Sequence, residues 1–192
     1  MFLLNEPSEG EIRRFLSRQS ELPFPYDEVG DSQKGLTPPG YATDRYHVKP
    51  GSGPEVYARA VEALRGWRRF EHGWARVVPS GAQIEAGTAV CVLARHYGFL
   101  SLNPVRIVYS LEESGSFERF GFGYGTLPGH GARGEERFAV EWCREDGSVH
   151  YDVFAFSRPN HPLTWPGHPF VRLLQRRFAR GSRRSMLVAV GA

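Results

Sequence analysis

Lysine and cysteine are nearly missing from this chain of 192 residues, and long apolar runs are missing altogether. Cys91 and Cys143 are the only cysteines, far apart and in neither metal nor redox spacing. A disulfide framework is therefore not expected, and two reduced thiols are. Lys34 and Lys49 are the only lysines, so arginine supplies the remainder of the 24 basic side chains. Arginine forks suit phosphate and carboxylate partners, but a formal charge of +3 does not by itself favour nucleic acid. No apolar stretch approaches the roughly 20 residues of a membrane helix, so no transmembrane segment is expected. The opening MFLLNEPSEGE has no basic lead and too short an apolar run for a secretory signal, which argues for the cytoplasm. The seven histidines form neither H-E-x-x-H nor H-x-x-x-H, so neither a metal nor a cofactor is expected.

What is present is an ordinary globular composition with clear periodicities. Ser8 and Glu11 make a capping box ahead of Ile12, Phe15 and Leu16, predicting a helix over about 9–19. Residues 20–40 are rich in proline and glycine and read as a lead-in that lies on the body through Phe24 and Tyr26. We therefore divide the chain into an N-terminal helix and lead-in, 1–40, and a single domain, 41–192. YATDRYHVKPG suggests a first strand. Pro54 then opens an amphipathic helix with Tyr57, Ala60, Val61, Leu64 and Trp67 on one stripe, Arg69 off it, and a close near Gly73. From Trp74 the period becomes two, and strands are expected at 74–79, 88–97, 104–112, 117–125, 135–144 and 149–158. Six successive strands with short turns imply an antiparallel sheet. A last helix from near Pro169 shows Phe170, Leu173, Leu174 and Phe178 on one side and mostly arginines on the other. Covering the sheet with that helix gives an α+β helix-grip: a curved antiparallel sheet around a long C-terminal helix.

The stretch FGFGYGTLPGHGARGEERF, residues 120–138, poses the sharpest question. It is not a dinucleotide fingerprint, because Pro128 stands where the third glycine belongs, and it is not a P-loop, because Glu135 replaces the lysine. Read with period two, Phe120, Phe122 and Tyr124 face one way and Gly121, Gly123 and Gly125 the other. The bare face admits a close approach, whether by a packed segment or by a ligand, and the glycines allow the strand to coil.

That stretch, with DGSVHYDVFAFSRPNHPL, PFVRLLQRRFARGS and GYATDRYHVKPGSGPEVYARAVEALRGWRRFEHGW, resembles the family designated domain of unknown function nineteen-ninety. The likeness runs over nearly the whole chain after about residue 25, with His150 where the resemblance implies an aromatic such as Trp. The family is similar to the helix-grip superfamily of START domains and birch-pollen-allergen-like proteins, whose members commonly bind apolar molecules in an internal cavity. Some of its relatives are cyclases or dehydratases. The resemblance thus implies a fold and a small apolar or amphipathic, lipid-like partner, and it carries over no catalytic residue.

Candidate site residues come from the strands. His96, Arg106, Tyr109 and Tyr124 are the expected polar lining of a mostly apolar cavity. Arg106 sits mid-strand beside apolar neighbours, where it needs a carboxylate or an anionic ligand. Taking Asp146-Gly147 as a two-residue turn sets Trp142 opposite Tyr151 and Glu141 opposite Asp152. Two facing acids need an offset from Arg137, His150, solvent or a shared proton, and a buried member of such a pair can serve acid–base work. Three functions follow: noncovalent binding of a small apolar or amphipathic molecule, a cyclase- or dehydratase-type enzyme using His96, Arg106 or a tyrosine, and an arginine-rich helix meeting nucleic acid or an anionic membrane. The third is the least favoured, because a helix packed on a sheet must solvate its outer face.

Overall fold

The fold follows from two amphipathic helices that close one face of a sheet and an N-terminal segment that closes the other. The structure, a computed structural model, describes residues 1–70, 73–160 and 168–191, and within 168–180 it describes the side chains of 178 and 180 only. In chain order the elements are β1 (Phe2–Leu3), α1 (Glu9–Ser20), α2 (Asp31–Lys34), β2 (Ala42–Ser52), α3 (Pro54–Arg65), a 3-10 turn (Arg68–Phe70), β3 (Ala75–Val78), β4 (Ala89–Arg95), β5 (Leu100–Glu113), β6 (Phe117–Thr126), β7 (Ala132–Cys143), β8 (Ser148–Pro159) and α4 (His168–Val190). The strands form one antiparallel sheet in the order β2-β8-β7-β6-β5-β4-β3, with β1 beside β5. The helix-grip architecture is therefore present. Phe122, Phe138, Val140 and Tyr151 on the inner face pack with Ala60, Ala63 and Leu64 of α3 and Met186 and Val190 of α4. Phe170, Leu173, Leu174, Arg172, Arg176 and Arg177, predicted along α4, lie outside the described side chains.

The outer face is closed by the N-terminal segment. Ser8 and Glu11 form the expected capping box on α1, whose Ile12 and Leu16 pack on Cys91, Leu93, Leu100 and Leu102. Beyond α1 the lead-in crosses β6 on its glycine side. A side chain at Gly123 would collide with the Tyr109 ring, and one at Gly125 with Tyr26 and Phe24. The bare strand face is thus a seat for aromatics from the lead-in and from β5. The aromatic face of β6 points the other way, into the grip.

Three local expectations are corrected. The β7–β8 hairpin uses the four residues 144–147 as its loop, because the Asp146 carboxylate accepts from both the amide and the hydroxyl of Ser148, at 2.8 and 2.6 Å. The register therefore slides by two, setting Trp142 opposite Val149 and Glu141 opposite His150. Sliding by two preserves every side chain's face, so the apolar side remains apolar. Second, a bulge between Ile107 and Tyr109 of β5 turns Tyr109 to the outer face. Third, α3 ends at Arg65 rather than near Gly73. Trp67 takes a positive φ of 58°, and the 3-10 turn after it swings Arg69 and Phe70 inward, where they are 0% and 1% exposed.

Candidate functional site

Between the inner face of the sheet and α4 lies a cavity of about 230 Å³. Phe70, Trp74, Val92, Ala94, Val105 and Phe178 form its apolar wall. Alternation along β4 sends Val92 and Ala94 inward and Leu93 outward to α1. Polar residues interrupt the wall, chief among them two groups. On β5 and just beyond β4, His96 Nε2 lies 2.8 Å from Ser101 Oγ, which also accepts from Asn103 Nδ2 at 2.8 Å. The His96 ring packs near Phe99 and Trp74, with centroids 4.7 and 6.3 Å away.

The other polar group runs across four neighbouring strands. Asp44 of β2 is opposite Ala155 of β8, Ala155 is opposite Glu136 of β7, and Glu136 is opposite Tyr124 of β6. All four line the cavity. The Tyr124 hydroxyl donates to Glu136 Oε2 at 2.6 Å. Burial raises the Glu136 pKa, with the Asp44 charge adding to it, while Arg69 and the Tyr124 bond oppose the rise. Burial, and then the Glu136 charge, push the Tyr124 phenol well above its usual range.

Behind this row sits Arg69. Its side chain is fully buried, its guanidinium carbon lies 2.9 Å from the Phe138 ring centre, and Phe70, Tyr124 and Phe122 follow at 4.3, 5.4 and 5.6 Å. Among the described residues none of its nitrogens meets a partner at hydrogen-bonding geometry, and its charge acts on Glu136 and on the Tyr124 and Tyr151 phenols. An isolated buried cation is costly. Here the ring faces and the nearby Glu136 charge offset it.

Of the sequence-derived candidates, His96 and Tyr124 stand in the cavity wall, and Arg106 and Tyr109 do not. Arg106 donates to the carbonyls of Ser20 and Leu22 at 2.9 and 3.3 Å, closing the end of α1, and its guanidinium lies over Phe24. Tyr109 shares a 2.7 Å hydrogen bond with the Ser32 hydroxyl, on the outer side to which the bulge sends it. The acid pair is not a pair. Glu141 accepts from Arg119 at 2.7 Å, and Asp152 accepts from Arg137 at 2.8 Å, so each carboxylate has its own cation. Sequence reasoning missed Glu136, although it stands two residues before Phe138 on the face that carries Val140, a polar exception in an apolar row. It missed Asp44 for the same reason. Arg69 had no such signal, because only the break after Arg65 turns it inward.

Two further wall residues are structural. Glu135 points to the outer side and accepts from Tyr26 Oη, Gly30 N and Ser32 N at 3.2, 2.7 and 3.1 Å. His130 Nδ1 accepts from the Ala132 amide at 2.9 Å, and burial, then the Met1 ammonium, lower its pKa from 6.5 to about 4. The folded state keeps this ring neutral while the unfolded chain protonates it. Stability should therefore be complete above pH 6.5 and be lost as pH falls from 6.5 toward 4. Urea titrations across this window should show the loss in the wild type and a flatter curve in His130→Gln. Parallel curves would contradict the assignment.

Comparison with known proteins bears on the family. A UPF0548 protein of Deinococcus radiodurans is 38% identical over 205 residues, covering 100% of both chains. A UPF0548 protein of Dictyostelium discoideum is 32% identical over 210 residues, covering 100% of this chain and 97% of its own. Among solved structures, human STARD10 superposes with a TM-score of 0.49 at 10% identity, over 97% of this chain and 80% of that one. Residues 25–185 match the family described as Domain of unknown function (DUF1990), and the chain belongs to it.

Proposed function

We propose that the protein binds a small apolar or amphipathic molecule, noncovalently, in the cavity between the sheet and α4. The observation that carries this reading is the wall itself: aromatic and aliphatic side chains interrupted by a limited set of polar residues, the usual make-up of a small-molecule site. A space of about 230 Å³ equals roughly eight water molecules' share of liquid, enough for a guest of one or two rings. The apolar part of the guest lies against Phe70, Val92 and Val105, and its polar end meets either the Tyr124–Glu136 row or the His96–Ser101 pair. Two free thiols suit a reducing compartment such as the cytoplasm. Arg180 and Arg184 are exposed on α4, as expected of a helix that packs its other face on a sheet.

Native mass spectrometry of the purified chain tests the reading. The wild type should carry an adduct that is lost on denaturation. Ala155→Leu, which pushes a larger side chain up from the cavity floor, should lose most of that adduct while melting within a few degrees of the wild type. A bare mass for the wild type, together with no uptake of an added apolar probe such as 2-naphthol, would contradict it.

A further inference from the structure

One oxygen of the cavity carboxylate is unspent. Glu136 Oε2 takes the Tyr124 hydroxyl, and Oε1 has no hydrogen-bond partner among the described residues. The floor beside it is Ala155, whose small side chain leaves a notch between Glu136 and Asp44, residues on strands two ladder spacings apart. Arg69, held on the Phe138 ring, has no hydrogen-bond partner at its nitrogens among the described residues and provides a fixed positive charge near the carboxylate. A half-buried carboxylate beside a largely apolar space, oriented by one phenol and with its other oxygen unengaged among the described residues, is arranged as a base. A structural ion pair would have used the arginine's fork.

We propose that Glu136 is a general base that removes a proton from a carbon acid bound in the cavity, a neutral, planar molecule whose C–H is acidified by an adjacent C=O or C=N group. This rests on the binding reading above and adds chemistry to it. In the step, an O–H bond forms at Oε1 as the C–H bond breaks. The electron pair passes into the adjacent multiple bond or expels a leaving group, and the proton is returned from Oε1 to the product or to water. No oxidant, reductant or second substrate is needed. Tyr124 and Arg69 are positioning residues: both favour the ionised carboxylate, which burial opposes. Among the described residues, the charged and titratable groups around Glu136 are Tyr124 on β6, Asp44 and Tyr46 on β2, Tyr151 on β8, Arg69 on the 3-10 turn and Arg183 on α4.

The probe is 5-nitrobenzisoxazole, whose ring opens to the coloured 2-cyano-4-nitrophenolate when a base takes its carbon-bound proton and the N–O bond breaks. Binding is read separately, by quenching of tryptophan fluorescence through Trp74 in the wall. The full-length chain should convert the probe with saturation and with a rate that rises through a single ionisation. Glu136→Gln should bind the probe and lose about a hundredfold or more of the turnover. Arg69→Met and Tyr124→Phe should each move the ionisation to higher pH, a change that loss of packing alone would not produce. Equal turnover in wild type and Glu136→Gln, or saturable binding with no turnover above background, overturns the base and leaves the binding reading standing. No binding overturns both. If Glu136→Gln fails to fold, an unmoved pH profile in Tyr124→Phe overturns the proposal.

Discussion

Phe122→Ala should lower the unfolding free energy by about 3–5 kcal/mol, among the larger costs a single core truncation produces. Phe122 is 0% exposed and is the midpoint of the inner aromatic cluster, with ring centres of Trp67, Phe138 and Tyr124 at 5.2, 5.5 and 6.5 Å. The hole left by its ring cannot close from below, because Gly121 and Gly123 hold the β6 backbone against Ala139 and Tyr109. It cannot close from above without moving Arg69, whose guanidinium carbon is 5.6 Å from the lost ring. For a chain of this length each kcal/mol is worth about 2–4 °C of melting temperature, so the expected drop is about 6–20 °C. Phe122→Leu, which keeps most of the volume, should cost less than half as much. Urea denaturation of the three proteins measures both, and a loss below about 1 kcal/mol for the alanine variant would mean that the inner face is not the core.

The second large effect is expected on the other side of the sheet. Glu135 is 3% exposed, and its two oxygens hold the lead-in by three donors, among them the Ser32 amide in the first turn of α2. Glu135→Ala removes both acceptor oxygens and strands all three donors at once. Each buried donor left without a partner costs about 1–3 kcal/mol, and the half-buried Gly30 amide recovers part of its share from water. A net loss of about 2–4 kcal/mol is therefore expected. Hydrogen exchange should rise sharply over residues 24–34 and stay unchanged in α3, because the hydrogen bonds its side chain accepts all come from the lead-in. Glu135→Gln keeps one acceptor oxygen and should fall between. Uniform exchange across the chain in Glu135→Ala would contradict the picture of a locally tied segment.

Much of this was readable from residue order. The switch from a period of 3.6 to a period of two at Trp74 is a property of the chain, and so are the capping box at Ser8 and the phenylalanine–glycine alternation of β6. Each states which face a side chain takes, and the helix-grip follows once every apolar face needs a cover. What could not be read depends on single local bonds. The slide of the β7–β8 register comes from one carboxylate, Asp146, folding back on Ser148. The displacement of Tyr109 comes from one extra residue in β5, and a strand's period does not announce a bulge. Arg69 lies within two residues of the stripe of α3 and would be solvated if the helix ran on. The left-handed turn at Trp67 instead places it at the centre of the molecule.

The cavity residues divide along the same line. Tyr124 was reached from strand phase, His96 as a polar residue at the end of an expected strand, and Glu136 was reachable from the phase of Phe138 and Val140. Arg106 was judged by its apolar neighbours within β5, yet its partner is the carbonyl end of α1, far away in sequence. An unpaired charge on a strand signals that a partner exists. It does not say on which side of the sheet.

Neighbouring residues on β4 offer the most direct test of an interior that admits a guest. Val92 and Ala94 face the cavity, while Leu93 between them faces α1. Methyl spectra recorded during titration with 2-naphthol should show saturating shifts for Val92, Ala94 and Val105 and none for Leu93 or Leu102. Shifts of equal size on both sides of the strand, or none on the inner side at saturating probe, would show that the grip closes on itself and holds nothing.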